Sequence, residues 1–411
     1  MDERHVDWCA ACDWNVDPGA PDPEPGRIAA ARRRLARKHG EQLAAEMERS
    51  GGTVEPVRRD ATTLLAFGIA LLVHGVTVLL AVGGVLLVLL GWNAGIQPAI
   101  GALLLVLAWL ARPRRSRLPK DEPVLYRSDA PELFELIDGV GRAVGTHGVY
   151  AVVVRADANA AVTNYGLRAR RVLFLGLGLW EILSPRERVA LLGHELGHFA
   201  NGDTRRGTVL ADALAALDTW FHILTPVPQP DLWERITSAL MLLPRWAVLG
   251  LLTLLDHLTL RDSQRGEYLA DVSAARAGST EAAAALMDRL LVCGAVGNQL
   301  RRESVVARMA NGPGGHSARD QGEDGLWERL AGHFAAVPEH EYERLRRVAA
   351  RRGHTVDATH PPTHLRRRCA AAAGPFPQQV PYDASRAAAV SGELAAARAV
   401  LAREVIRDHA G

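Results

Sequence analysis

The chain has 411 residues, 48 Lys plus Arg against 46 Asp plus Glu, and a formal net charge of +2. That length allows two or three domains, and the balanced charge leaves no broad basic field, so no nucleic-acid partner is expected. Four cysteines (Cys9, Cys12, Cys293, Cys369) are too few for a disulfide framework and fit a reducing compartment.

The opening residues MDERHVDWCAAC are charged and lack an apolar core, so no cleavable signal peptide is expected. Within residues 1–60, His5-x3-Cys9-x2-Cys12 is half a zinc ribbon. A structural zinc takes four ligands, and Cys293 and Cys369 stand far away in the chain. Three readings stay open: two chains share a zinc through Cys9 and Cys12, a local Asp completes the set, or the pair binds nothing. Asp17–Gly26 is a Pro-rich linker without the means to build a core. Arg27–Arg49, rich in Ala, Arg and Glu, predicts a helix, read as a solvated or membrane-surface one.

From Ala61 to Ala111 there is no Asp, Glu, Lys or Arg. One crossing of a bilayer needs about 20 apolar residues, so this run is too long for one. The breakers around Trp92–Pro98 divide it into a transmembrane helical hairpin, about Thr63–Leu90 and Ile96–Ala111, the second arm short enough to thin the bilayer locally. Arg58 and Arg59 precede the run and Arg112, Arg114, Arg115, Arg117 and Lys120 follow it, which places both flanks on the cytoplasmic side. His74 within the first arm reads as a polar residue at a helix contact.

From about Asp121 a mixed α/β pattern begins. Leu133, Leu136, Ile137 and Val140 have helical spacing within Ala130–Val144. Val149–Arg155 and Val172–Leu177 read as strands, with the polar stretch ADANAAVTNYG between them as a turn. Ser184-Pro185-Arg186-Glu187 is a capping box with Pro at the first helical position. It predicts a helix through Val189, Leu192 and Leu196 that stops near Asn201-Gly202.

That helix carries HELGH, the H-E-x-x-H pattern, whose chance occurrence in a chain with 15 histidines is roughly a few per cent. His194 and His198, four apart, project from one face and can grip one ion. Glu195 lies about 100° round the helix, able to reach an activated water without being a ligand. Gly193 and Gly197 are poor helix formers, and two of them beside the ligands imply that another backbone approaches there. A third ligand is sought in SQRGEYLAD, Ser263–Asp271, read as the start of another helix. Glu267 would ligate, while Asp271, on the same face, would accept a hydrogen bond from a ligand histidine's other ring nitrogen.

HELGHFANGD, RGEYLAD and Thr359-His360-Pro361-Pro362-Thr363 together resemble the HtpX-like membrane zinc metallopeptidases, relatives of the type I CAAX prenyl proteases. The resemblance covers about Pro123–Arg368 and the membrane hairpin. It implies an α+β, mostly helical, gluzincin-type domain over 112–374 with a small edge-strand sheet, followed by a C-terminal helical region over 375–411. It implies His194, His198 and Glu267 as ligands of one catalytic Zn2+, and Glu195 as general base. Asn159-Ala160 matches the pair that the family places on an edge strand against the substrate backbone. His360 and Arg366 match side chains that stabilise the oxyanion or orient the substrate carbonyl. The resemblance also suggests a second membrane hairpin within 207–260. Asp212, Asp218, Arg245 and Asp256 make full burial there costly, yet the number of crossings must be even, and two is the favoured count.

The expected protein is therefore a multi-pass zinc metalloendopeptidase of the cytoplasmic (inner) membrane with its active site in the cytosol. Peptides or damaged membrane proteins are its substrates, the lipid bilayer is a partner, and a homo-oligomer is left open. The competing readings are a CAAX-type prenyl protease and a catalytically idle membrane scaffold; an intact Glu195 argues against the latter. The last helix, about Ser385–Arg407, is expected to pack on the catalytic domain.

Overall fold

Uncharged sequence becomes helix in the computed structural model, which describes residues 5–19, 26–50, 61–90, 95–112, 118–166, 168–201, 203–225, 232–310, 323–352 and 360–408. The protein divides into two units. One comprises Glu55–Arg115 and Asp203–Ser263, the other Met1–Val54, Ser116–Gly202 and Gln264–Gly411. Most of the Pro-rich linker and residues 92–94 of the expected hairpin turn lie outside the described residues.

In chain order, α1 is Arg27–Arg49, α2 Ala61–Leu90 and α3 Gln97–Ala111. The hairpin arms therefore fall where the charge-free run predicts. At 1.5 Å per residue α2 is about 45 Å long, more than the roughly 30 Å hydrocarbon core of a bilayer, while α3 is shorter than that core. Gly84 and Gly101 set the crossing of the two arms, because a Cβ at either would come 2.8 Å from the other's carbonyl oxygen. Along α2, Leu64, Leu71, Leu79 and Leu90 are exposed.

Two further helices complete this unit: α7, Asp203–Ile223, and the first part of α8, Leu232–Gly278. Ala66, Ile69, Ala70 and Val73 of α2 pack with Ala213, Ala216 and Leu217 of α7 and Leu255 of α8. The Nε2 of His74 lies 3.1 Å from the Val209 carbonyl, the interhelix contact expected of it. Among the described residues two helices, α2 and Ala239–Gly278 within α8, are long and apolar enough to cross a membrane.

The other unit holds a four-stranded sheet of order β1-β2-β4-β3: β1 is Val124–Leu125, β2 Ala151–Arg155, β3 Ala160–Tyr165 and β4 Arg170–Gly176. β2 and β4 are parallel, whereas β3 pairs antiparallel with β4 in the register Ala160↔Leu175 and leaves its other side open as an edge. The supposed turn is thus mostly a strand. Every β3 residue is at least partly exposed, so the buried alternation that marks a central strand is missing.

Around the sheet stand α4 (Pro131–Val144), the short α5 (Leu177–Trp180), α6 (Pro185–Ala200) and α9 (Thr280–Ala310). They are followed by α10 (Leu326–Ala335), α11 (Glu339–Arg352), α12 (Thr363–Ala372), α13 (Ala384–Glu393) and α14 (Ala395–Asp408). Leu133, Phe134 and Ile137 of α4, Val152, Val154, Leu173 and Leu175 of the sheet, and Val189, Leu192 and Leu196 of α6 share one core. The single C-terminal helix foreseen is two, which pack on that core through Val390, Leu401 and Val405. Glu393, at the end of α13, accepts the backbone N–H groups of Glu132 and Leu133 at 2.8 and 2.9 Å, satisfying the start of α4.

Two helices differ from expectation. Ser263 does not begin one: it sits in the middle of α8, because no Gly or Pro separates it from the apolar run upstream and a mid-helix Ser is tolerated. Nor is α1 solvated all round. Its Ala36, Leu43, Ala44 and Met47 are buried, the last three in a small cluster with Tyr268, Val272, Leu365 and Cys369.

Candidate metal centre

Both ends of α6 are defined. Ser184 N–H donates to Glu187 Oε2 at 2.6 Å and Glu187 N–H to Ser184 Oγ at 3.4 Å, closing the capping box. HELGH follows in the second half of this helix, with His198 in the last turn. Beside it runs α8. A Cβ on Gly193 would lie 2.9 Å from the Ala277 Cβ and 3.0 Å from the Ser273 carbonyl, and one on Gly197 would lie 2.8 Å from the Ser273 Cβ. Real Cβ atoms do not approach so closely, so the two glycines are what lets α8 reach α6, and the close backbone foreseen from them is that of α8.

The approach brings Glu267 between the two histidines. His194 Nε2 stands 3.7 Å from Glu267 Oε2 and His198 Nε2 3.7 Å from Glu267 Oε1. The imidazoles are nearly perpendicular, with centroids 4.9 Å apart. Among the described residues, His194, His198 and Glu267 form the one group of three or more His, Cys, Asp or Glu side chains whose ligand atoms lie within 4.8 Å of one another.

Behind His194 is Asp271, fully buried, its Oδ1 3.0 Å from His194 Nδ1. Burial alone would raise the Asp271 carboxyl, but Arg366, by charge and by hydrogen bonds, and the His194 ring hold it below the usual range. An ionised Asp271 favours a proton on His194 Nδ1, which leaves Nε2 as an acceptor, with Arg366 Nη2 3.3 Å from it and Glu267 Oε2 at 3.7 Å. For Glu267, too, burial opposes ionisation. The Arg366 charge, the His360 hydrogen bond and the two histidines overcome it and leave the carboxyl well below its ordinary value. Electron-rich atoms converging in a buried site call for a cation, and two imidazoles with a carboxylate suit zinc at about 2.0–2.2 Å from each. These residues fit the ion.

Glu195 is buried beside them. Burial raises its carboxyl, with His194 and His198 pulling the other way. It borders a cleft of about 180 Å3 whose lining includes Asn159, Ala160, His194, Glu195, His360 and Arg366. Leu179, Leu191, Leu286, Met287 and Leu290 complete the lining. These five carry no chemical signature in sequence.

Asn159 directly precedes β3, and its Oδ1 accepts the N–H of Ala160 at 2.9 Å. Its carbonyl accepts the Gly176 N–H, so by antiparallel alternation the backbone groups of Ala160 and Val162 face the open edge. The sequence leaves the choice among three arginines open, and their surroundings separate them. Arg366 is buried, donating to Asp271 through Nε at 2.9 Å and Nη2 at 2.7 Å, whereas Arg367 pairs with Asp288 and Arg368 with Glu48. His360 Nδ1 lies 2.9 Å from Glu267 Oε2, with its side chain 51% exposed.

Cys9 and Cys12 occupy a tight turn outside this centre. Backbone N–H groups of Cys12 and Ala11 and the Cys12 thiol lower the Cys9 thiol from its ordinary value. Asp13, one of the Asp residues close to the pair in sequence, is engaged by Arg347 and Arg351. Among the described residues nothing joins the pair to make a metal site, and the structural zinc finds no support.

Two helices presenting His, His and Glu, with a further Glu in the same cleft, define a candidate metal-dependent hydrolase. The family model described as Peptidase family M48 matches residues 131–373, and the chain belongs to that family, which includes HtpX and the CAAX protease relatives. Membership implies metallopeptidase activity. No curated protein and no solved structure matches the chain.

Proposed function

We propose that the protein is a membrane-bound zinc endopeptidase acting on extended polypeptide segments at the cytosolic face of the inner membrane, with damaged membrane proteins as its substrates. The observation that carries this is the buried convergence of His194, His198 and Glu267, with Glu195 in a cleft bordered by the start of an open strand edge. Held by those three side chains, zinc would supply Lewis acidity, acidifying water and polarising a carbonyl. Glu195 takes the proton of the attacking water and delivers it to the leaving amine; its raised carboxyl brings the base closer to the pH at which it works. A substrate strand added along β3 aligns its backbone by main-chain hydrogen bonds and is read with little regard to side chains, which suits a protease of unfolded segments. The apolar side chains of the cleft lining receive one hydrophobic substrate side chain next to the scissile bond. His360, half-exposed at the cleft, polarises the substrate carbonyl, and Arg366 fixes Asp271 and through it His194. The long apolar α2 and the basic residues at both ends of the charge-free run support the membrane location and its orientation.

The test is cleavage of casein by the detergent-purified, zinc-loaded chain compared with Glu195→Gln. The variant is expected to bind zinc normally and to lose activity by about 10²–10⁴-fold, the typical contribution of a general base. Equal cleavage by both would trace the activity to a contaminant and remove the reading.

A further inference from the structure

Gln264 and Tyr268 stand on either side of the candidate ligand Glu267 in α8, and both are fully buried. Their polar ends reach α1. Gln264 Nε2 donates to the Ala36 carbonyl at 3.0 Å and Tyr268 Oη to the Gly40 carbonyl at 2.9 Å. A four-residue step in α8 thus meets a four-residue step in α1, one helical turn against one turn. The same Gly40 faces the segment after His360: a Cβ there would meet Pro362 Cδ at 3.4 Å, and Pro361 Cβ and Gln264 Oε1 at 3.8 Å. One turn further on, Leu43, Ala44 and Met47 pack with Tyr268 and Val272 of α8 and with Leu365 and Cys369 of α12. That cluster is separate from the main core, where α4, the sheet and α6 are joined.

We propose that α1 is a brace for the metal centre, with Gly40, Gln264 and Tyr268 as its positioning residues. It touches at once the helix that carries Glu267 and Asp271 and the segment that carries His360 and Arg366. In doing so it maintains the Glu267–His360 and Asp271–Arg366 contacts, on which the direction of the Glu267 carboxylate and the His194 ring depends. The cleft's other components, the edge of β3 and the apolar wall, lie outside this contact set. Releasing α1 therefore acts on ion binding and turnover rather than on substrate affinity. This inference rests on the zinc reading above.

The experiment uses the full-length chain in detergent, with the zinc dissociation constant measured by chelator competition and kcat and KM measured on casein. Gly40→Leu wedges α1 away from Pro361 and Pro362 and is expected to weaken zinc binding about 10–100-fold, with a lower kcat and little change in KM. Gly40→Ala reaches only ordinary van der Waals distance and should behave as wild type. Tyr268→Phe removes one bond without changing the packing, gives a smaller loss of the same kind, and decides the matter should Gly40→Leu not fold. Wild-type zinc affinity and kcat in both Gly40→Leu and Tyr268→Phe would overturn the brace alone. So would a loss in Gly40→Ala as large as that in Gly40→Leu. A wild-type chain that binds no zinc would instead remove the metal reading and the brace with it.

Discussion

Asp271 is the residue on which the centre's electrostatics turn. It is fully buried and charged, which is tolerable only because Arg366 meets it with two hydrogen bonds and His194 with a third. Removing one partner of a buried pair leaves the other uncompensated, at a cost of about 3–5 kcal/mol. Arg366→Ala is therefore expected to destabilise the chain by that amount in thermal or urea unfolding. Arg366→Ala combined with Asp271→Asn should recover part of the loss, since the neutral amide needs no counter-charge and its oxygen still accepts from His194. A double variant less stable than Arg366→Ala would show that Asp271 is not the charge being neutralised. At this scale the sequence was informative wherever local spacing sufficed: the four-residue steps His194–His198 and Glu267–Asp271 each describe one helix face. It joined Glu267 and Asp271 to the α6 histidines but was silent on the partner of Arg366. Arg366 was assigned by resemblance to the substrate carbonyl, and its bidentate bond to Asp271 depends on the packing of α12 against α8, which no spacing encodes.

Element scale brings a different limit. Helices whose ends carry local signals, such as α6 with its capping box, are legible to within a residue. The long α8 is not, because Ser263 resembles a cap and Pro244 a breaker, and the continuous helix overrides both. β3 failed for the opposite reason: an edge strand has one open side and no fully buried residue, so its composition is that of a turn. Its openness is also its proposed use. If substrate adds as a strand, the outward N–H of Val162 is needed while the ladder to β4 is not disturbed by losing it. Proline is tolerated on strand edges for that reason. Val162→Pro is expected to raise KM for casein several-fold, with zinc affinity unchanged. An unchanged KM would mean that substrate does not pair with this edge.

For the whole molecule, the boundary between charge-free and charged sequence was readable, because the charge-free run Ala61–Ala111 is visible in the sequence itself and becomes α2 and α3. The assembly of the catalytic unit from 1–54, 116–202 and 264–411 was not. The N-terminal region read as a polar appendage, since α1 has a mean composition dominated by Arg and Ala and its buried stripe of Ala36, Leu43, Ala44 and Met47 is short. Only the partners it meets, hundreds of residues away, make it part of the site.

That discontinuous assembly has a consequence for metal removal. His194 and His198 belong to α6 and Glu267 to α8, so an ion binds the folded arrangement and not the unfolded chain, and its binding stabilises by RT ln(1 + [L]/Kd), about 2.7 kcal/mol at a hundredfold excess over Kd. All three ligands lie in one unit, whereas α2, α3 and α7 with their apolar contacts lie in the other. Chelation should therefore lower amide protection in α6 and in Gln264–Gly278, leaving α2 and α3 unchanged in hydrogen exchange resolved by segment. Uniform loss of protection across both units would mean that they unfold as one cooperative body. No loss in either would mean that His194, His198 and Glu267 hold no ion. Selective loss is the expected outcome, because the close approach of α8 that Gly193 and Gly197 permit brings electron-rich ligands together at a cost that the bound cation offsets.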